Sequence, residues 1–161
     1  MKKILTLVLL TVIFLGARAQ TSTTKEDVAI FQSVWGKEKK TIVDAYMKLS
    51  PTEAKAFWPV YDQFEAERQA LGRGRIAILE EYAKNIGNLA NDKATELMKK
   101  AIENEAGFPK LFSKYLPKFT KATTGLQAAK FLQLEFYLTS VIKSKMQEEV
   151  PLIGELDGTV K

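Results

Sequence analysis

The chain reads as an all-α domain of four helices, two of them long and kinked, arranged as antiparallel hairpins. Three observations predict this. Apolar residues recur at helical spacing through most of the chain, with no alternating strand pattern. Two stretches keep a 3.5-residue repeat through prolines and glycines, and two short capping boxes each open a long helical pattern.

The first helix begins near Glu26, where Ile30, Phe31, Val34, Trp35, Ile42, Val43, Tyr46 and Leu49 follow helical periodicity and Thr24 with Asp27 forms a capping pair. Gly36 weakens its middle by roughly 1 kcal/mol relative to Ala. Ser50-Pro51-Thr52-Glu53 starts the second helix, with a Ser N-cap, Pro at the first helical position and Glu reaching back. Phe57, Tyr61, Phe64, Arg68, Leu71, Arg75, Ile78 and Tyr82 then advance by alternating steps of 4 and 3 across Pro59 and Gly72-Arg73-Gly74. Unbroken phase predicts one long helix, kinked where Pro59 deletes the bond to Lys55.

Asn85 to Asn91, with Gly87, reads as a turn, and Asn91 or Asp92 caps the next element. Ala94, Met98, Ala101, Glu105, Phe108, Phe112, Tyr115 and Phe119 repeat the same alternation through Gly107 and Pro109, predicting a second long helix kinked near Phe108-Pro109. Thr124-Gly125-Leu126-Gln127 launches the fourth helix, to about Glu149. Its apolar residues, from Leu126 to Met146, wrap more than half the circumference, so part of that surface should meet another helix or another subunit. Val150-Pro151 stops it, leaving an aperiodic tail over residues 151–161.

Both ends bear on compartment. Lys2-Lys3, the apolar run Ile4 to Leu15 and Ala17-Arg18-Ala19 have the layout of an export signal, residues 1–19, followed by a polar leader, residues 20–25, and a single domain over residues 26–150. The run is about 12 residues, short of the roughly 20 needed to cross a bilayer core. Cleavage after Ala19 predicts a soluble exported protein, with no Cys present to carry a lipid anchor. It also removes three bases, leaving 21 against 19 acids, a mature net charge of +2. Such a balance gives no field of the kind nucleic-acid binding needs.

No His and no Cys occur among the 161 residues. The commonest general base, the commonest zinc ligands and the sulfur nucleophile are therefore missing, and no phosphate loop or nucleophile elbow replaces them. The expectation is a binding protein rather than an enzyme, with no cofactor and no metal. With no disulfide to help, packing alone must hold it together in an oxidising compartment.

Candidate binding residues follow from the seam. Arg68 and Arg75 occupy positions the repeat otherwise gives to Phe, Tyr, Leu and Ile, and Glu105 does the same in the third helix. If the two long helices fold back around residues 89–91, facing residues have numbers adding to about 180, so Arg75 meets Glu105. The plainer reading is an ion pair that fixes register; the bolder one is a charged concave face for protein segments. Likewise Phe57, Trp58, Tyr61, Phe131 and Phe136 are either core or an adaptable apolar surface. Ser50, Glu53, Thr124 and Gln127 are structural, as caps.

With Leu49-Ser50-Pro51-Thr52-Glu53 and Thr123-Thr124-Gly125-Leu126-Gln127 each opening a long helix, the chain resembles the Spy/CpxP superfamily of periplasmic proteins, which carry two L-T-x-x-Q motifs. Lys48 to Tyr61, Glu80 to Lys84, Phe131 to Glu135 and Val150 to Ile153 correspond to recurring blocks of one branch. Glu53 replaces the Gln of the first motif and Thr123 the Leu of the second. The resemblance implies long bent helices assembled as a cradle-shaped homodimer. It implies an ATP-independent chaperone for partly folded proteins in the envelope stress response, or alternatively an adaptor docking on a sensor kinase or anti-sigma factor.

Overall fold

A computed structural model of the protein describes residues 38–148 and 150–153, and all regular structure among them is helical. Helix α1 is described over residues 38–47. It is followed by α2 (Pro51–Asn85), a 3-10 turn (Ile86–Asn88), α3 (Asn91–Ala122) and α4 (Gly125–Glu148). The all-α, four-helix expectation holds. The export signal, the polar leader, the Thr24–Asp27 cap, Gly36 and the tail beyond Ile153 lie outside the described residues.

Helix α1 ends where Lys48 adopts φ of 51°, the left-handed conformation that closes many helices, and its N–H reaches the Asp44 carbonyl at 3.2 Å. The orphan Met47 carbonyl accepts a bond from Lys130 Nζ of α4 at 3.0 Å. Two residues later Ser50 caps α2. Its Oγ accepts the Glu53 N–H at 3.4 Å, while Glu53 Oε2 accepts from the Ser50 N–H at 3.0 Å and the Ser50 hydroxyl at 2.7 Å. These bonds hold the Glu53 carboxyl below the usual carboxylate range.

Both long helices are continuous. The 35-residue α2 passes through Pro59, Gly72 and Gly74, and the 32-residue α3 through Gly107, Pro109 and Pro117. Pro59, Pro109 and Pro117 are exposed, so their rings do not crowd the packed faces of the helices. Gly74 and Gly107 serve close packing instead: a Cβ on Gly74 would come within 2.6 Å of the Asn104 amide, and one on Gly107 within 2.5 Å of Leu71. At that crossing Asn104 Nδ2 donates to the Leu71 carbonyl at 3.1 Å.

Two cap expectations are corrected. The N-cap of α3 is Ala90, without a side-chain bond, because the helix starts at Asn91 itself and the Asn91 carbonyl accepts Thr95 Oγ1 at 2.9 Å. Asp92 sits in the first turn, where its charge favours the helix dipole. At α4 only half of the T-x-x-Q box forms. Thr124 Oγ1 accepts the Gln127 N–H at 3.2 Å, but Gln127 Oε1 has no hydrogen-bond partner among the described residues.

Contacts between α2 and α3 descend along one helix as they ascend along the other. Phe57 packs on Phe119 with centroids 5.2 Å apart, Phe64 on Phe112 at 6.1 Å, and Glu67 bonds Lys114 at 2.7 Å. Arg75 then pairs with Glu105 at 2.7 Å, and Glu81 with Lys100 at 3.1 Å. The core lies at the end where α1 and α4 cover this pair. Phe131 of α4 is its hub, its ring centroid 4.5 Å from Phe119, 5.2 Å from Phe57 and 5.5 Å from Phe64.

Candidate functional site

Inside that core four charged side chains meet, all of them buried. Lys39 Nζ of α1 lies 2.6 Å from Glu65 Oε2 of α2 and 2.8 Å from Glu135 Oε1 of α4. Arg68 grips Glu65 with two bonds of 2.8 and 2.7 Å. The group is electrically neutral, two cations to two carboxylates, which is what makes a buried set tolerable. Burial alone would raise the Glu65 carboxyl, but Arg68 and Lys39 hold it below its ordinary value. Glu135, more deeply buried, stays raised in spite of Lys39. The Tyr61 hydroxyl beside them is buried with no hydrogen-bond partner among the described residues, and burial with the nearby carboxylates raises its pKa. Each partner of this cluster is a protein group, so it works as a joint that fastens α1 and α4 to α2.

Away from the core the two long helices diverge in what covers them, and a cleft of about 990 Å³ opens. Its walls are Ile78, Leu79 and Tyr82 of α2, Leu97, Met98 and Ile102 of α3, and Met146 of α4, with the chain after α4 along one edge. Polar groups gather at the end nearest the core. There the Arg75 guanidinium lies 2.7 Å from Glu105 as an ion pair and Lys143 donates to the same carboxylate at 3.2 Å, so one carboxylate answers two cations. The Arg75 guanidinium also lies over the Phe108 ring, 4.5 Å from its centroid. A second, smaller cavity of about 420 Å³ shares Arg75 and Glu105 and is bounded by Phe108, Phe112 and Phe136.

Of the cleft's walls Met98 and Ile102 are 54% and 63% exposed, and outside the cleft α4 leaves Leu126, Phe136, Tyr137 and Val141 exposed. The opposite rim is ionic: Glu81 bonds Lys93 and Lys100, and Lys100 also reaches Glu96 at 2.5 Å. These residues are solvated, and their pairing adds little. No group of three or more Asp or Glu among the described residues is placed to hold a metal ion. Nor is any helix among them long and apolar enough to cross a membrane.

The residues singled out in the sequence fall into separate places. Phe57, Tyr61 and Phe131 are buried in the core, Arg68 is buried in the ion cluster, and Trp58 is half-buried against Phe57 at 5.1 Å. Buried side chains offer a partner no surface, so for these residues the plainer reading, core, is the one the packing favours. Phe136 stands at the surface, edge-on to Phe112 at 4.8 Å. Arg75 and Glu105 are paired at the cleft's inner end. Sequence reasoning missed Lys39, Glu65 and Glu135. Glu135 carried a signal, a lone carboxylate between Leu134 and Phe136 in the densest apolar stretch; Lys39, in the run Glu38-Lys39-Lys40, carried none.

No family model, curated protein or solved structure matches this chain.

Proposed function

We propose that the protein is a non-enzymatic, nucleotide-independent binding module that takes apolar segments of other polypeptides into the cleft between α2 and α3, as a chaperone of the periplasm would. The observation that carries this is the cleft itself, about 990 Å³ with apolar walls, continuous with exposed Met98 and Ile102. Apolar surface left in water at this scale marks a place that a partner covers. Methionine at Met98 and Met146 suits variable partners, because an unbranched thioether adapts to irregular shapes. The absence of His and Cys from the sequence supports binding over catalysis.

The Spy/CpxP likeness, with bent hairpins forming a homodimeric cradle, belongs to the same proposal. In that arrangement the exposed α4 residues Leu126, Tyr137 and Val141 supply apolar area for a second copy. The test is light scattering from an aggregating client, with no nucleotide added. Suppression is expected near stoichiometric protein, and is lost in a Met98→Glu, Ile102→Glu double variant that melts like the parent. Failure to suppress at several-fold molar excess rejects the reading. One stoichiometric partner retained from envelope extract, in place of many weak ones, would instead favour a stress-sensing adaptor that docks on a sensor kinase or anti-sigma factor.

A further inference from the structure

We infer that the cleft is a groove for short, non-helical, proline-containing apolar segments, and that the chain's own Val150-Pro151-Leu152-Ile153 is its internal competitor. This deepens the reading of the cleft as a polypeptide-binding site and rests on it. After α4 the chain loses helical structure and residues 150–153 run along the cleft's edge, with Val150 and Pro151 half-buried. The Tyr82 hydroxyl donates to the Pro151 carbonyl at 2.9 Å, joining residues 69 positions apart.

That one bond explains the choice of residue. A peptide entering an apolar cleft must find partners for each N–H and C=O it brings, since an unpaired buried polar group is costly. Proline brings no N–H. A single hydroxyl therefore satisfies all the backbone polarity of that residue, and Tyr82 is positioned among Ile78, Leu79 and Leu97 to supply it. Proline also arrives with its backbone angle fixed, so less freedom is lost on binding. Leu152 and Ile153 remain 70% and 56% exposed, so much of the tail's apolar area stays in water. A tethered segment nevertheless competes at an effective concentration on the order of millimolar, enough to exclude weak ligands and admit strong ones.

The test uses the mature chain, the same chain ending at Glu149, and a fluorescent peptide of residues 148–156 read by anisotropy. The shortened chain should bind the peptide about tenfold more tightly than the intact chain, where the tethered tail competes. Within the shortened chain, Tyr82→Phe should weaken binding about fivefold, the loss of one hydrogen bond, and alanine in place of the peptide's proline should weaken it by about the same factor, through the unpaired N–H it brings and the backbone freedom it restores. Equal binding to both chains, no binding to either, or indifference to Tyr82 and the proline overturns the inference. If circular dichroism shows the shortened chain unfolded, the full-length Val150→Asp, Pro151→Asp variant, which changes the half-buried pair of the tail, replaces it with the same expected gain. Client aggregation measured in parallel separates the two readings. The peptide pattern without suppression by either chain leaves the groove standing and removes the chaperone role; equal suppression by both, with no peptide preference, does the reverse.

Discussion

The two ends of the α2–α3 pair are built on the same repeat and meet different fates. Toward α1 and α4, Phe57, Tyr61, Phe64 and Arg68 are buried; further along the same stripe Leu71, Arg75, Ile78 and Tyr82 are only half-buried. The difference is coverage. A third and fourth helix close over the first stretch, with α4 burying Ala128, Phe131, Leu132, Leu134 and Leu138, whereas along the second stretch α4 contributes Met146 and the short segment after it. Two helices bury a line of contacts, and a further layer is needed to turn that line into a core. Hence a seam residue is core at one end and cleft wall at the other.

Charge follows the same division. At the closed end Lys39, Glu65, Arg68 and Glu135 are buried and must neutralise one another. At the open end Glu81, Lys93, Glu96 and Lys100 pair in contact with solvent. Between them, Glu67 accepts from Lys114 and from the Tyr115 hydroxyl at 2.8 Å; burial and that carboxylate push the Tyr115 pKa up to about 12.

This contrast can be broken by substitution. Phe131→Ala should cost about 4 kcal/mol in chemical denaturation, since it removes the ring on which Phe57, Phe64 and Phe119 converge and leaves a cavity. A loss below about 1 kcal/mol would mean the closed end is not the stabilising core. Lys39→Met should cost about 3 kcal/mol, because it strips the ammonium from two buried carboxylates and leaves Glu135 without its nearest cation. Reversing it by a second change, Glu135→Leu, should recover part of that loss, as removing both members of a buried pair is milder than removing one.

Acid titration sharpens the same point through opposite signs. Glu135 has its pKa raised by burial, so the folded state binds its proton more tightly than the unfolded chain, and its contribution falls as pH rises from the ordinary value of 4.5 through the raised one. Glu65, held low by Arg68 and Lys39 against burial, contributes fully above that ordinary value and loses its contribution as pH falls through the lowered one. Glu135→Gln should therefore gain stability relative to the parent as pH is raised from 4 to 7, read from denaturation midpoints across that range. A constant difference across that range would place Glu135 in contact with water. The smallest effect belongs to the open end: Met98→Glu with Ile102→Glu should change unfolding free energy by no more than about 0.5 kcal/mol per site. A cooperative loss of stability there would show that the cleft wall is core after all.

Local chemistry in the sequence was enough to set the helices. Ser50-Pro51-Thr52-Glu53 makes the cap its residue types specify, and the 4-and-3 alternation held its phase because a helix needs only neighbouring residues to continue past Pro59 or Gly107. The same spacing placed Arg75 opposite Glu105, a matter of chain length on either side of one turn. Tertiary packing settled everything that depends on what lies overhead. It made Phe57, Tyr61 and Phe131 core and left Phe136 outside, it drew Lys39 out of a run of ordinary surface charges into a buried cluster, and it laid Pro151 against Tyr82. Periodicity states which face of a helix is apolar; only the number and placement of other helices states whether that face is covered.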